Sequence, residues 1–277
     1  IFEKVAEKCY LPATRMFAEL VAAYPHFKIT LSMSGTFLEQ AETYQPTVIR
    51  ALQDLYDAGE KRNQVEFLDE TYYHSLSSLF ADPEKREFRD QVSLHREKMR
   101  RIFGVFPTAF RNTELMYNNH IAEVVSDMKY VAILCEKRDD MYMNDDQVIS
   151  PNAVFRAKGL PLVVIPRNRD LSDDVAFRFP HRPLSPETYA AYLAGIDGEA
   201  VLLGFDYEHI GVHIWEDKGI FTFWRGLPEA LGRHPSIVMA NPTEIAERFR
   251  DAECPTIDIH GMATSSWADA GRDTFGW

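Results

Sequence analysis

The chain has 277 residues, 45% of them hydrophobic, enough to bury the core of one large domain over residues 1–277. A formal net charge of −12 argues against a polyanionic partner, so neither nucleic acid nor an acidic membrane surface is expected. Cys9, Cys135 and Cys254 are odd in number and outside any CxxC or Cys/His cluster, which argues against a disulfide framework or structural zinc and points to a reducing compartment, the cytoplasm.

The chain opens inside an amphipathic helix, with Val5, Cys9, Leu11, Met16, Leu20 and Val21 at roughly helical spacing. Its first residue is Ile1 rather than Met, so a segment upstream is expected, and a signal peptide there stays open. Strands are expected in chain order at KITLSMS (28–34), QVEFL (64–68), TAFRN (108–112), YVAIL (130–134), LPLVVIP (160–166) and VLLGF (201–205). Helices are expected over 45–58, 84–103, 115–126, 186–194 and 242–249, with a long non-helical connection over about 136–160. No apolar run approaches the ~20 residues of a membrane span. The alternation of strand and helix predicts an α/β fold with about six parallel strands. A seventh strand upstream of Ile1 would close a barrel, and an open doubly wound sheet is the alternative. No GxGxxG, GxxxxGK[ST] or GxSxG pattern occurs, which removes the usual phosphate-cradle and serine-hydrolase readings.

Two carboxylates stand out. VLLGF is a continuous apolar run, expected to be buried on both faces, and Asp206 follows it at once; Glu114 follows the shorter TAFRN strand. In an α/β barrel both would open on the rim formed by the strand carboxyl ends, and such a pair suits acid/base cleavage of a sugar linkage.

Four segments, NQVEFLDETYYHSL (63–76), FRNTELMYNN (110–119), GFDYEHIGVHIW (204–215) and SSWADAGRDTFGW (265–277), resemble glycoside hydrolase family 57, its α-amylase group. The segments EKVAEKCYLPATRMFAEL and KITLSMSGTFLEQ are also similar to that group. The resemblance implies an irregular TIM-like (β/α)7 barrel that acts on α-glucans or maltooligosaccharides with retention of configuration and without a cofactor. It implies Glu114 as nucleophile and Asp206 as acid/base, with Glu66 and His74 hydrogen-bonding the glucose hydroxyls. Tyr117, Tyr207, His213 and Trp215 complete the expected substrate contacts, the aromatics as stacking surface. A retaining enzyme needs its two carboxyl groups about 5 to 5.5 Å apart. The same mechanism serves a hydrolase and a 4-α-glucanotransferase, depending on whether water or a sugar accepts.

The sequence departs from the family pattern in places. The family's His-Gln-Pro strand would lie upstream of Ile1; Asn63 stands where Gly is usual, Val212 where the motif has Glu, and Gly271 where Glu is usual. The family also usually continues past Trp277 into a helical region over the barrel mouth. Two other readings compete. His209 and His213 are spaced i, i+4 with Asp206 beside them, as in a metal-dependent carbohydrate deacetylase, although Gly211 disfavours a regular helix and Asp139-Asp140 and Asp145-Asp146 fall in a loop. A non-catalytic α-glucan-binding protein on the same scaffold is the other.

Overall fold

The computed structural model describes residues 1–136 and 150–267. The chain enters through α1 (Phe2–Val5), a π-helical stretch (Ala6–Tyr10) and α2 (Leu11–Ala23), whose buried face carries Cys9, Ala13, Met16, Phe17 and Leu20 at helical spacing. Then come β1 (Ile29–Ser32), α3 (Gly35–Tyr44), α4 (Pro46–Glu60), β2 (Val65–Leu68), α5 (Arg86–Phe103), β3 (Ala109–Arg111), α6 (Asn119–Asp127) and β4 (Ala132–Glu136). After them follow β5 (Phe155–Ala157), β6 (Val163–Arg167), α7 (Arg169–Ala176), α8 (Pro186–Ala194), α9 (Ile220–Gly232), α10 (Pro242–Arg248) and β7 (Thr256–Ile257). Ser34, Asn118, Asn168 and Ser185 accept first-turn backbone N–H groups of α3, α6, α7 and α8, and Gly104 ends α5 in the left-handed region. No helix of the described residues is long and apolar enough to cross a membrane.

Five of the strands, β1, β2, β3, β4 and β6, form one parallel ladder. β1 pairs with β2, and β3 with β4 and then β6, all parallel. Asp69 joins the two sheets, taking a bond from the Arg111 N–H at 3.0 Å and donating its own N–H to the Ala109 carbonyl at 3.1 Å. Beyond β6 the ladder reaches Leu202 through one bridge to Arg167, while β5 lies antiparallel to β6 and carries β7.

Most expected elements are present, and the differences have local causes. VLLGF is half-buried and holds only the bridge at Leu202, because the Gly204 carbonyl accepts from the Arg167 guanidinium instead of a neighbouring strand. The helix expected from 115 begins at Asn119, since Glu114 and Leu115 both take positive φ. Within 136–160 the chain forms β5, and 137–149 lie outside the described residues. The helix α9 went unexpected because Gly226, Pro228 and Gly232 interrupt its pattern.

Strand alternation sorts the ladder into two faces. Leu31, Val65, Phe67, Phe110, Ile133, Cys135 and Val164 pack outward beneath the helices. The opposite face is layered from amino to carboxyl end. At the bottom Lys28 and Glu66 meet Glu244 and Thr243 of α10; Leu68, Ala109, Ala132, Leu134, Val163 and Ile165 form an apolar middle. At the top the same positions become polar: Ser32, Glu70, Arg111, Glu136 and Arg167. A polar layer above an apolar floor at the strand carboxyl ends is where α/β barrels place their chemistry.

Candidate functional site

Glu114 sits one turn past β3, in the left-handed region at φ 54°. For a residue other than glycine this conformation costs energy, and it is kept only where surrounding bonds over-determine it. Here they do. Its Oε1 accepts from His74 Nε2 at 3.0 Å, its Oε2 from the Trp267 indole N–H, and its backbone carbonyl from Trp267 N–H at 3.0 Å and Ser266 Oγ at 3.1 Å. Trp267 is brought over from far along the chain by the antiparallel bridge between Tyr117 and Ser265.

His74, also at positive φ, spans two carboxylates: Nδ1 lies 3.1 Å from Glu70 Oε1 and Nε2 3.0 Å from Glu114 Oε1. Carboxylates only accept, so both ring nitrogens donate and the ring is an imidazolium. The hydrogen bonds to Glu114 and then Glu70 push its pKa up to about 9 against the opposing effect of burial. Glu70, with a side chain only 2% exposed, also accepts from Ser32 Oγ and faces Arg111 Nη1 at 3.6 Å.

The two carboxyl groups singled out in the sequence are pushed in opposite directions. Burial pushes Glu114 up, but the bonds from His74 and Trp267 with the charges of His74 and Arg111 outweigh it, leaving its carboxyl below the usual range. Asp206 keeps an exposed face, yet protein crowds the rest of it. That crowding raises its carboxyl and outweighs the opposing charges of His209 and Arg111, with smaller upward contributions from Glu208 and Glu114. Glu114 and Asp206 thus feel each other's charge, and Arg111 faces both. One carboxyl is shifted toward its ionised form and the other toward its protonated form, the direction of divergence that separates a base from an acid.

A second network, with Asp69, His95 and Tyr130 buried and Arg96 half-buried, stands behind this one. Asp69 accepts from His95 Nδ1 at 2.7 Å, from Tyr130 Oη at 2.6 Å and from Arg96 Nε at 3.2 Å, while His95 Nε2 donates to the Met33 carbonyl at 2.7 Å. It ties α5 to the ends of β1 and β2 directly beneath Glu70.

The structure brings Glu114, His74 and, through charge, Asp206 together. It adds Glu70, Arg111 and Trp267, which sequence reasoning missed; Glu70 lies in the same DETYYH segment and continues the strand phase of Glu66 and Leu68 past the end of β2. Glu66 itself points to the opposite end of that face and bonds Thr243 N–H at 3.2 Å and the Thr243 hydroxyl. Four residues of strand at about 3.3 Å each separate it from Glu70, roughly 13 Å. Tyr117 is fully buried in the outer core, and the half-buried Tyr207 packs on Tyr10 and Phe17 with its hydroxyl 3.0 Å from Thr14 Oγ1, so the first ring is closed to a sugar and the second is engaged in packing. His213 is exposed beside His209, with ring centroids 5.0 Å apart. Trp215 is 62% exposed beneath Lys8 in a cleft of about 790 Å³ lined also by Glu7, Pro12, Phe221 and Arg225. Among the described residues no three His, Cys, Asp or Glu side chains converge as a metal-ligand set, and His209 turns Nδ1 to the Asp206 carbonyl at 3.0 Å. Asp139, Asp140, Asp145, Asp146 and Gly271 lie outside the described residues.

Known proteins resemble the chain both in sequence and in fold. A family model described as Glycosyl hydrolase family 57 matches residues 1–260. A Methanocaldococcus jannaschii protein bearing the provisional name alpha-amylase is 37% identical across the whole chain, which spans 57% of that relative's length. Among solved structures, the 4-alpha-glucanotransferase from Thermococcus litoralis has a TM-score of 0.69 at 17% identity, covering 93% of this chain and 39% of its own. A GH57-type branching enzyme from Pyrococcus horikoshii has a TM-score of 0.71 at 13% identity, covering 96% of this chain and 68% of its own.

Proposed function

Because the chain belongs to glycosyl hydrolase family 57, and so to the (β/α)7-barrel fold class of its structural neighbours, we propose that its polar rim cleaves α-1,4-glucosidic bonds with retention of configuration, as an α-amylase-like hydrolase of α-glucans or maltooligosaccharides. The observation that carries this reading is the opposed shift of two carboxyl groups at the polar rim, Glu114 just past β3 lowered by its donors and Asp206, on the segment beside β6, raised by crowding.

Glu114, held as a carboxylate by His74 and Trp267, attacks the anomeric carbon. The bond to the glycosidic oxygen breaks as Asp206 delivers its proton to that oxygen, leaving a glycosyl ester on Glu114 and a carboxylate at Asp206. In the second half Asp206 takes a proton from the acceptor, whose oxygen displaces Glu114 and restores both groups. Water as acceptor yields hydrolysis, and a sugar hydroxyl yields glucan transfer by the same residues.

The test is a pair of near-isosteric variants in the full-length protein with maltoheptaose as substrate. Glu114→Gln and Asp206→Asn should each lower kcat by several orders of magnitude with the melting temperature preserved. Near-normal turnover in either variant refutes the assignment. The chromatographic product profile of the unmodified protein then separates hydrolysis, with shorter sugars only, from transfer, with both shorter and longer ones.

A further inference from the structure

The chain that carries Asp206 is not held by the ladder. After the bridge at Leu202, where Asn168 N–H donates to the Leu202 carbonyl at 2.9 Å, no strand partner supports Gly204 and Phe205 among the described residues. Side chains from β6 and α7 hold it instead. Ser172 Oγ accepts from the Gly204 N–H at 3.1 Å, and the Gly204 carbonyl accepts from Arg167 Nε at 2.5 Å, two residues before Asp206.

Arg167 is fully buried. Its Nη1 donates to Glu136 Oε2 at 3.1 Å and its Nη2 to Asp173 Oδ1 at 2.6 Å, so two carboxylates aim the guanidinium whose third edge grips the loop. Its carbon also lies 5.5 Å from the centroid of the Trp267 ring, the same indole that donates to Glu114. A buried arginine is costly to desolvate unless every edge is matched, and a planar fork of this kind fixes direction as well as distance. We propose that Arg167 is the positioning residue of the acid/base, setting the Asp206 loop at working distance from Glu114 through the Gly204 carbonyl. The proposal rests on the retaining reading above, in which about 5 to 5.5 Å must separate the two carboxyl groups and a shift of about 1 Å costs on the order of 10²-fold.

A misplaced acid has a kinetic signature that general loosening of the fold lacks. A poor leaving group such as a sugar alkoxide needs the proton of Asp206, whereas fluoride departs without it. In the full-length protein, Arg167→Lys keeps the charge and loses the fork. It should lower kcat on maltoheptaose about 10²-fold with KM little changed. First-turnover fluoride release from α-maltosyl fluoride should change by less than about threefold, well under 1 kcal/mol of barrel-wide effect. Equal losses on both substrates overturn the proposal and leave Arg167 a merely structural residue. Should Arg167→Lys fail to fold, Asp173→Asn, which removes one of the carboxylates aiming the guanidinium, must show the same split at smaller amplitude; equal losses there overturn the proposal as well. Asp206→Asn is run alongside. No split in Asp206→Asn sinks the retaining reading itself, whereas a split there and none in the Arg167 variant sinks only the role of Arg167.

Discussion

Replacing His74 with Gln tests how Glu114 is kept ionised. The imidazolium bridges Glu70 and Glu114 at 3.1 and 3.0 Å, and its side chain is 37% exposed, so its bonds fall between buried charge-assisted and solvent-screened pairs. Bonds to charged groups contribute about 1.5–3 kcal/mol and exposed ion pairs up to about 1, which puts the loss at Glu114 near 1.5 kcal/mol. That corresponds to roughly a tenfold drop in kcat/KM. With His74 gone, burial acts on Glu114 less opposed, so the acidic limb of the pH profile should move to higher pH; initial rates on maltoheptaose between about pH 4 and about pH 10 at low salt read both effects. The same change appears in stability. The folded pKa of His74 is raised from 6.5 to about 9, so its contribution is complete below 6.5 and lost as pH rises through about 9. Glu70 and Glu114 are lowered, so theirs is present above the ordinary carboxylate range and lost as pH falls. The melting temperature of the unmodified protein should therefore decline between pH 6.5 and about 9, and that of His74→Gln should decline less. An acidic limb that stays in place, with kcat/KM within about twofold, refutes the reasoning.

Glu66→Ala separates a helix-end contact from a sugar contact: loss of the bonds to Thr243 at the start of α10 should cost about 1 kcal/mol and lower the melting temperature by about 2–4 °C, with kcat unchanged. A tenfold fall in kcat at unchanged stability would instead return Glu66 to substrate. His95→Leu removes one member of a pair whose side chains are both 0% exposed, leaving Asp69 with Tyr130 and Arg96. Scanning calorimetry should show a loss of about 3–5 kcal/mol, or about 6–20 °C, and a fall under about 2 °C contradicts the buried ion pair.

What the sequence disclosed and what it hid follow from the range of the interactions involved. Period-two apolar runs are local, and they disclosed β1, β2, β3, β4 and β6 and the placement of Glu114 and Asp206 just past strand ends. The strand VLLGF was overread because apolar content reports burial and not pairing: Arg167 claims the carbonyl a neighbouring strand would need. Glu70 was within reach, since extending the alternation of Glu66 and Leu68 by one more step selects it over Glu66 for the rim. Trp267 was not, because its bond to Glu114 joins positions 153 residues apart through a bridge no periodicity announces. The aromatic rings of Tyr117 and Tyr207 misled for the reason that such rings fill cores more often than clefts.

The difference between Glu114 and Asp206 lies in their donors, not in their depth. Desolvation raises both. Glu114 overcomes it because the strained turn after β3 aims both carboxylate oxygens at N–H groups, one on a cation that a second carboxylate, Glu70, keeps protonated. Asp206 feels the charges of Arg111 and His209, but Glu208 and Glu114 oppose them, and His209 is itself kept toward the neutral form, first by burial. The charge of Glu114 thus adds to the upward shift of Asp206, and consuming that charge in a glycosyl ester would ease the release of the proton Asp206 must give. On this logic Glu114→Gln should lower the pKa of Asp206, and a carboxyl titration that leaves Asp206 unmoved in that variant would show that the two groups act independently.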